Sequence, residues 1–121
     1  MNKMETPMDA NDKLIEILAN YRDAAIGTAA LDSTQNNMCV DRLHSCYKIL
    51  RETDDGRAGI ISLISDENPH VRGWAAAHSL EWAPQIAKLA LEDLRDSDGP
   101  ASFSAKWTLK EFSKGRLSFD Y

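Results

Sequence analysis

The chain has 121 residues, 43% hydrophobic and 27% charged, the balance of a folded domain with one core. No apolar run reaches the roughly 18 residues of a membrane span, and MNKMETPMDANDK lacks a secretory signal's apolar stretch, so the chain is expected in the cytoplasm. The 19 acids outnumber 14 bases for a net charge of −5, which disfavours nucleic acid and suits a basic protein partner through long-range steering.

Residues 1–8 are polar, contain Pro7 and are expected to be disordered. Asp9 or Asn11 can cap a first helix carrying Leu14, Ile15, Ile17, Leu18, Tyr21, Ala25 and Ile26 at helical spacing. Gly27 weakens its end, and LDSTQNN connects it to the next helix, with Ser33 or Thr34 as cap. That second helix is expected over residues 35–52. Cys39, Leu43, Cys46 and Leu50 form its stripe, widened by Val40, Tyr47 and Ile49. Cys39 and Cys46 lie about 10 Å apart along one helix axis, too far to share a disulfide or a metal. They read as small core hydrophobes in a reducing compartment.

Thr53-Asp54-Asp55-Gly56 reads as a stop and a new start, followed by a short helix over residues 57–65 with Ile60, Ile61, Leu63 and Ile64. Asp66, Asn68 and Pro69 then make a turn, with Pro69 in a first helical turn that tolerates it. The helix it opens is expected to reach Trp82. Residues 83–95 form the next, with Ile86, Leu89, Ala90 and Leu94 apolar. After RDSDGP, a last helix over residues 101–114 is closed by Gly115, and RLSFDY is a tail. No stretch alternates with the period of a strand. The chain is therefore all-α, with about six helices in three antiparallel pairs.

The last two pairs repeat each other. Ile60, Ile61 and Ile64 correspond to Ala90, Leu91 and Leu94, Asp66 to Asp96 and Ala75 to Ala105, a period of 96 − 66 = 30 residues. GIISLISDENPHVRGWAAAHSL resembles a HEAT repeat through Asp66, Val71, Arg72, Ala75, Ala76 and Leu80. IAKLALEDLRDSDGPASFSAKWTL resembles a degenerate second, with Ala101 and Ser102 where Val-Arg is expected. The whole length is similar to a small bacterial family of HEAT-like domains without established activity. There a helical pair precedes a segment matched here by GRAGIISLISDENPHVRGWAA and then Ala105, Thr108 and Leu109.

The resemblance implies a right-handed α-α superhelix. Residues 9–115 would form one HEAT-like domain, with 9–52 as a divergent cap pair, 55–82 and 83–115 as repeats, and 116–121 as the tail. It also implies that Asp66, Val71, Arg72, Ala75 and Leu80 serve the fold. In HEAT repeats the matching arginine pairs with a turn aspartate, so Asp66 or Asp96 is the expected partner of Arg72.

Nothing in the sequence builds a catalytic centre. His44, His70 and His78 lack the spacing of zinc ligands, and no glycine-rich phosphate loop or nucleophile elbow occurs. Asp66, Asp96 and Asp98 have local work as helix and turn caps. The expectation is a non-enzyme without cofactor or metal.

Helical projection leaves His70, Trp74, Ala77 and Glu81 opposite the core side of one helix, and Phe103, Trp107, Lys110 and Lys114 opposite that of the last. In HEAT stacks such helices line the concave face. Trp74 and Trp107 would then share a groove wall and serve as binding anchors, with His70, Ala77, Glu81, Phe103 and Lys110 as the other partner-binding residues. The competing reading covers Trp107 and Phe103 with Leu117, Phe119 and Tyr121, and packs Trp74 on Tyr47. Trp82 is expected to be structural.

Small size, acidity, the repeat pattern and the missing catalytic constellation suggest a protein-binding module. The narrower reading is an immunity-type protein that neutralises a bacterial toxin, with a basic toxin domain as the expected partner, by direct binding. The alternatives are nucleic-acid binding through Lys106, Lys110, Lys114, Arg116, Lys48 and Arg51, or a self-associating structural or adaptor protein.

Overall fold

A computed structural model describes residues 9–30 and 32–120. The expectation of a disordered segment at residues 1–8 lies outside that range. The described residues form six α-helices and no strand: α1 (Ala10–Gly27), α2 (Ser33–Leu50), α3 (Asp54–Ser62), α4 (Pro69–Ser79), α5 (Pro84–Asp96) and α6 (Ser102–Ser113). No helix among them is long and apolar enough to cross a membrane.

Side-chain caps set most of the helix starts. Asp9 accepts from the Asp12 amide at 2.8 Å, and Asp32 from the Gln35 amide at 2.9 Å. Asp32 therefore caps α2, rather than Ser33 or Thr34, and the helix begins two residues earlier than its apolar stripe suggests. Thr53 accepts from the Gly56 amide at 3.0 Å, which draws Asp54 and Asp55 into the first turn of α3. Their carboxylates are favourable beside the N-terminal end of the helix dipole. Asn68 accepts from His70 and Val71 ahead of Pro69 in α4.

The helix ends also have local causes. After α3 the chain tightens into a 3₁₀ turn, Leu63–Ser65, before Asp66. α4 stops at Ser79, short of Trp82. Ala83 precedes Pro84, whose ring pushes the preceding residue out of helical geometry, and Ala83 adopts φ −144° and ψ 61°. At the end of α6, Gly115 takes φ 68°, its amide donates to the Phe112 carbonyl, and the Arg116 amide donates to the Glu111 carbonyl. This is a Schellman closure. A Cβ at Gly115 would meet nothing within 4 Å. Gly115→Ala should thus cost only the left-handed backbone penalty, about 1 kcal/mol, in chemical denaturation.

α1 packs on α2, α3 on α4, and α5 on α6. α4 is central, touching α1, α3, α5 and α6, whereas the α5–α6 hairpin rests chiefly on α4. The core takes Tyr21 and Ala25 from α1, Leu43 and Leu50 from α2, Ile60 from α3, Val71, Ala75 and Ala76 from α4, and Leu91 and Leu94 from α5. Ile49, at 56% exposure, lies outside the α2 stripe it was expected to widen. On α5 the inward residues are Ala87, Leu91 and Leu94, while Ile86 and Leu89 face outward. Among the described residues this hairpin packs chiefly on α4, so its apolar surface is only partly covered.

Candidate functional site

The turn at Asp66 joins three helices. Arg22 of α1 donates to both carboxylate oxygens, at 2.8 and 3.2 Å, and the Asn68 amide donates to the same carboxylate at 2.9 Å. The Arg22 hydrogen bond holds the Asp66 carboxyl below its ordinary range. Arg72 meets the turn differently from its expected carboxylate pairing: it donates to the backbone carbonyls of Asp66 and Glu67, at 2.9 and 3.0 Å. From the first turn of α4 its guanidinium folds back along the loop, and the longer reach from α1 takes the carboxylate. Asp96 pairs with its neighbour Arg95. This polar node ties α1 to the α3–α4 connection.

Behind α4 lies an aromatic cluster around His78, which is 1% exposed. Its Nδ1 and the Tyr21 hydroxyl are hydrogen-bonded at 2.6 Å. Its ring stacks on Tyr47 with centroids 4.0 Å apart and planes 14° apart, and meets Phe119 edge-on at 4.7 Å. Trp82 lies on the far side of Tyr47 at 6.2 Å. The Tyr47 hydroxyl donates to Glu81 at 3.3 Å, and Arg51 sits over the Tyr47 ring while pairing with Asp120 at 2.8 Å. The tail is thus clasped at Asp120 and half-buried at Phe119.

Burial, then the charges at His44 and Arg51, drives the His78 pKa down to about 3. Burial likewise pushes the Tyr21 hydroxyl well up. The pair is neutral near pH 7 and is not matched to proton transfer there. Sequence reasoning missed this cluster. Its members come from α1, α2, α4, the α4–α5 link and the tail, and no local period connects them.

The seven residues proposed for partner binding do not form one wall. His70, Trp74 and Ala77 line a cavity of about 330 Å³ between α2, α4 and α6. Trp74 is half-buried, and its indole N–H donates to Thr28 Oγ1 at 3.0 Å across to the end of α1. It packs against His78 at 5.6 Å. Glu81 is exposed past the end of α4 and serves Tyr47. Phe103 and Trp107 point away from the cavity, 79% and 54% exposed, with Lys110 exposed beside them.

The expected shared groove fails because equivalent helix faces have different surroundings. The far side of α4 is covered by α1 and the tail, whereas among the described residues that of α6 is left open. The tail does not cover Phe103 or Trp107: Phe119 lies in the His78 cluster instead. The expectation for Tyr121 falls outside the described residues.

Both cysteines are free, and among the described residues no group of three or more His, Cys, Asp or Glu could hold a metal ion. Of the bases considered for nucleic acid, Arg51 pairs with Asp120 and Arg116 with Glu111. Comparison with protein-family models, with curated proteins and with solved structures found no match.

Proposed function

We propose that the chain is a non-catalytic protein-binding module whose docking face is the outer side of the α5–α6 hairpin. The observation that carries this reading is the exposure of Phe103 and Trp107, 79% and 54%, one turn apart on α6. Ile86 and Leu89, at 53% and 65%, are further exposed apolar residues on α5 of the same hairpin. Rings and aliphatic groups so exposed gain most by being covered, and tryptophan is favoured at interface centres.

The architecture we assign is HEAT-like: three helical pairs stacked as a right-handed superhelix, with the 30-residue spacing of Asp66 and Asp96 supporting the repeat (96 − 66 = 30). In such a stack a pair whose outer side is uncovered presents apolar surface to a partner. The narrower function we propose is immunity-type: cytoplasmic neutralisation of a bacterial toxin by direct binding. The net charge of −5 supports attraction of a basic partner at long range. At the patch itself Lys106 and Lys110 flank the aromatics, so carboxylates in the partner would complement the close contacts.

The test is co-expression with the products of adjacent reading frames. A stable complex is expected. Phe103→Ser with Trp107→Ser should weaken it by at least about 30-fold, the equivalent of roughly 2 kcal/mol lost at a hot spot. If no neighbouring product binds, the immunity reading fails. If light scattering instead shows a dimer that the double variant dissolves, the patch serves self-assembly.

A further inference from the structure

We propose that the cavity beside Trp74 is a binding site for a small uncharged molecule with an apolar body and one hydrogen-bonding head. The inference is independent of the docking face on α5–α6, which lies outside the cavity.

Three observations carry it. The first is Thr108. It is 9% exposed, lines the cavity from α6, and among the described residues its hydroxyl has no hydrogen-bond partner. A threonine within a helix can return its hydroxyl to the carbonyl one turn back, and Thr108 does not. A hydroxyl that stands at a cavity wall without a protein partner is open to a polar group from outside.

The second is the charge of the walls. Among the described residues no Asp, Glu, Lys or Arg lines this cavity, and His70 is a titratable residue that does. Such walls would leave a bound ion without a counter-charge, which selects for a neutral molecule. Val40, Ala77, Leu91, Ala101 and Ala105 supply an apolar floor.

The third is preorganisation. The Trp74 indole is anchored by Thr28, and Thr28 in turn donates to the Ala25 carbonyl at 2.7 Å. Asn36 spends its amide N–H groups on the carbonyls of Thr28 and Ala30, and among the described residues its amide oxygen is uncommitted. The walls therefore stand ready, with Thr108 and the Asn36 oxygen as the groups a ligand head would engage. About 330 Å³ is at the small end of ligand sites, suited to a single ring with a short substituent.

The probe is benzamide, a neutral ring with an amide head, set against its anionic and cationic isosteres benzoate and benzamidine. Titrations of the full chain are followed by heteronuclear NMR. Benzamide should bind at about 1–10 mM, the range for a fragment of this size, and shift the amides of Trp74, Ala77 and Thr108. The two ions should bind at least about 5-fold more weakly, because the walls hold no counter-charge. Thr108→Val should keep the fold, since the hydroxyl has no protein partner to lose, and weaken benzamide at least about 5-fold.

Ser104→Phe, at the exposed rim, should block binding while leaving the fold intact, and so stands in should Thr108→Val fold poorly. The proposal is overturned if benzamide leaves these amides unmoved at about 10 mM. Equal binding of all three compounds overturns it too, as does unchanged affinity in both variants.

Discussion

Gly56→Ala is expected to lower stability by about 3 kcal/mol, or roughly 12 °C in Tm for a chain of this length. Gly56 is buried in the first turn of α3, where Thr53 caps its amide. A Cβ built there would collide with the Leu50 carbonyl oxygen and lie 2.7 Å from the Leu50 carbonyl carbon and 2.9 Å from its Cα. These are backbone atoms in the last turn of α2, so no rotamer change relieves the clash. The ends of two helices would have to part, and Leu50, 2% exposed, would leave its place in the core.

Gly73→Ala is the control. Gly73 lies inside α4, and a Cβ there meets only Leu94 Cδ1 at 3.7 Å, an ordinary contact. Alanine should stabilise that helix by about 0.5–1 kcal/mol. Paired thermal melts would show opposite signs. If Gly56→Ala melted with or above the parent, the close crossing of α2 and α3 would be wrong.

The same contrast marks what local pattern can and cannot convey. Leu43, Cys46 and Leu50 are spaced as one helical stripe, and all three are buried; Val71, Ala75 and Leu80 are likewise on the inner side of α4. Such stripes depend on a helix's own geometry, which the residue order carries. Helix starts were less legible where a side chain competes for the cap: Asp32 and Thr53 each moved a start by engaging an amide three residues on.

The candidate site was legible only in pieces. Trp74 and Trp107 occupy comparable positions on their helices, yet one is anchored to Thr28 and the other is open. What separates them is the number of neighbouring helices, a property of the packing and not of either helix. The tail was harder still. Phe119 and Asp120 follow the last glycine in a polar stretch, and only the distant Arg51, Tyr47 and His78 give them a place.

His78 should make the fold acid-sensitive in a way that one substitution removes. In the unfolded chain its pKa is about 6.5; in the fold burial lowers it to about 3. Above pH 6.5 the ring is neutral in both states and its proton affinity costs nothing. As pH falls below 6.5 the unfolded state takes up a proton that the folded state refuses. Stability then drops by about 1.4 kcal/mol per pH unit until the folded pKa is reached. The loss attributable to this ring is on the order of 4 kcal/mol between pH 6.5 and 3.

Asp66 acts in the same direction, since its carboxyl is held low by the Arg22 hydrogen bond and its stabilisation fades as pH falls through that lowered value. It is present in parent and variant alike, so a difference experiment isolates His78. His78→Gln keeps a polar side chain able to accept from the Tyr21 hydroxyl but lacks the titrating ring.

At pH 7 the variant should be less stable by about 2 kcal/mol, having lost the stack on Tyr47 and the edge contact with Phe119. The gap should close as pH falls, and the two urea curves should cross near about pH 5, where the parent has lost as much to proton uptake. Parallel stability profiles from pH 7 to 4 would mean that His78 titrates normally in the fold. In that case the cluster that holds the tail is more open to water than its packing implies.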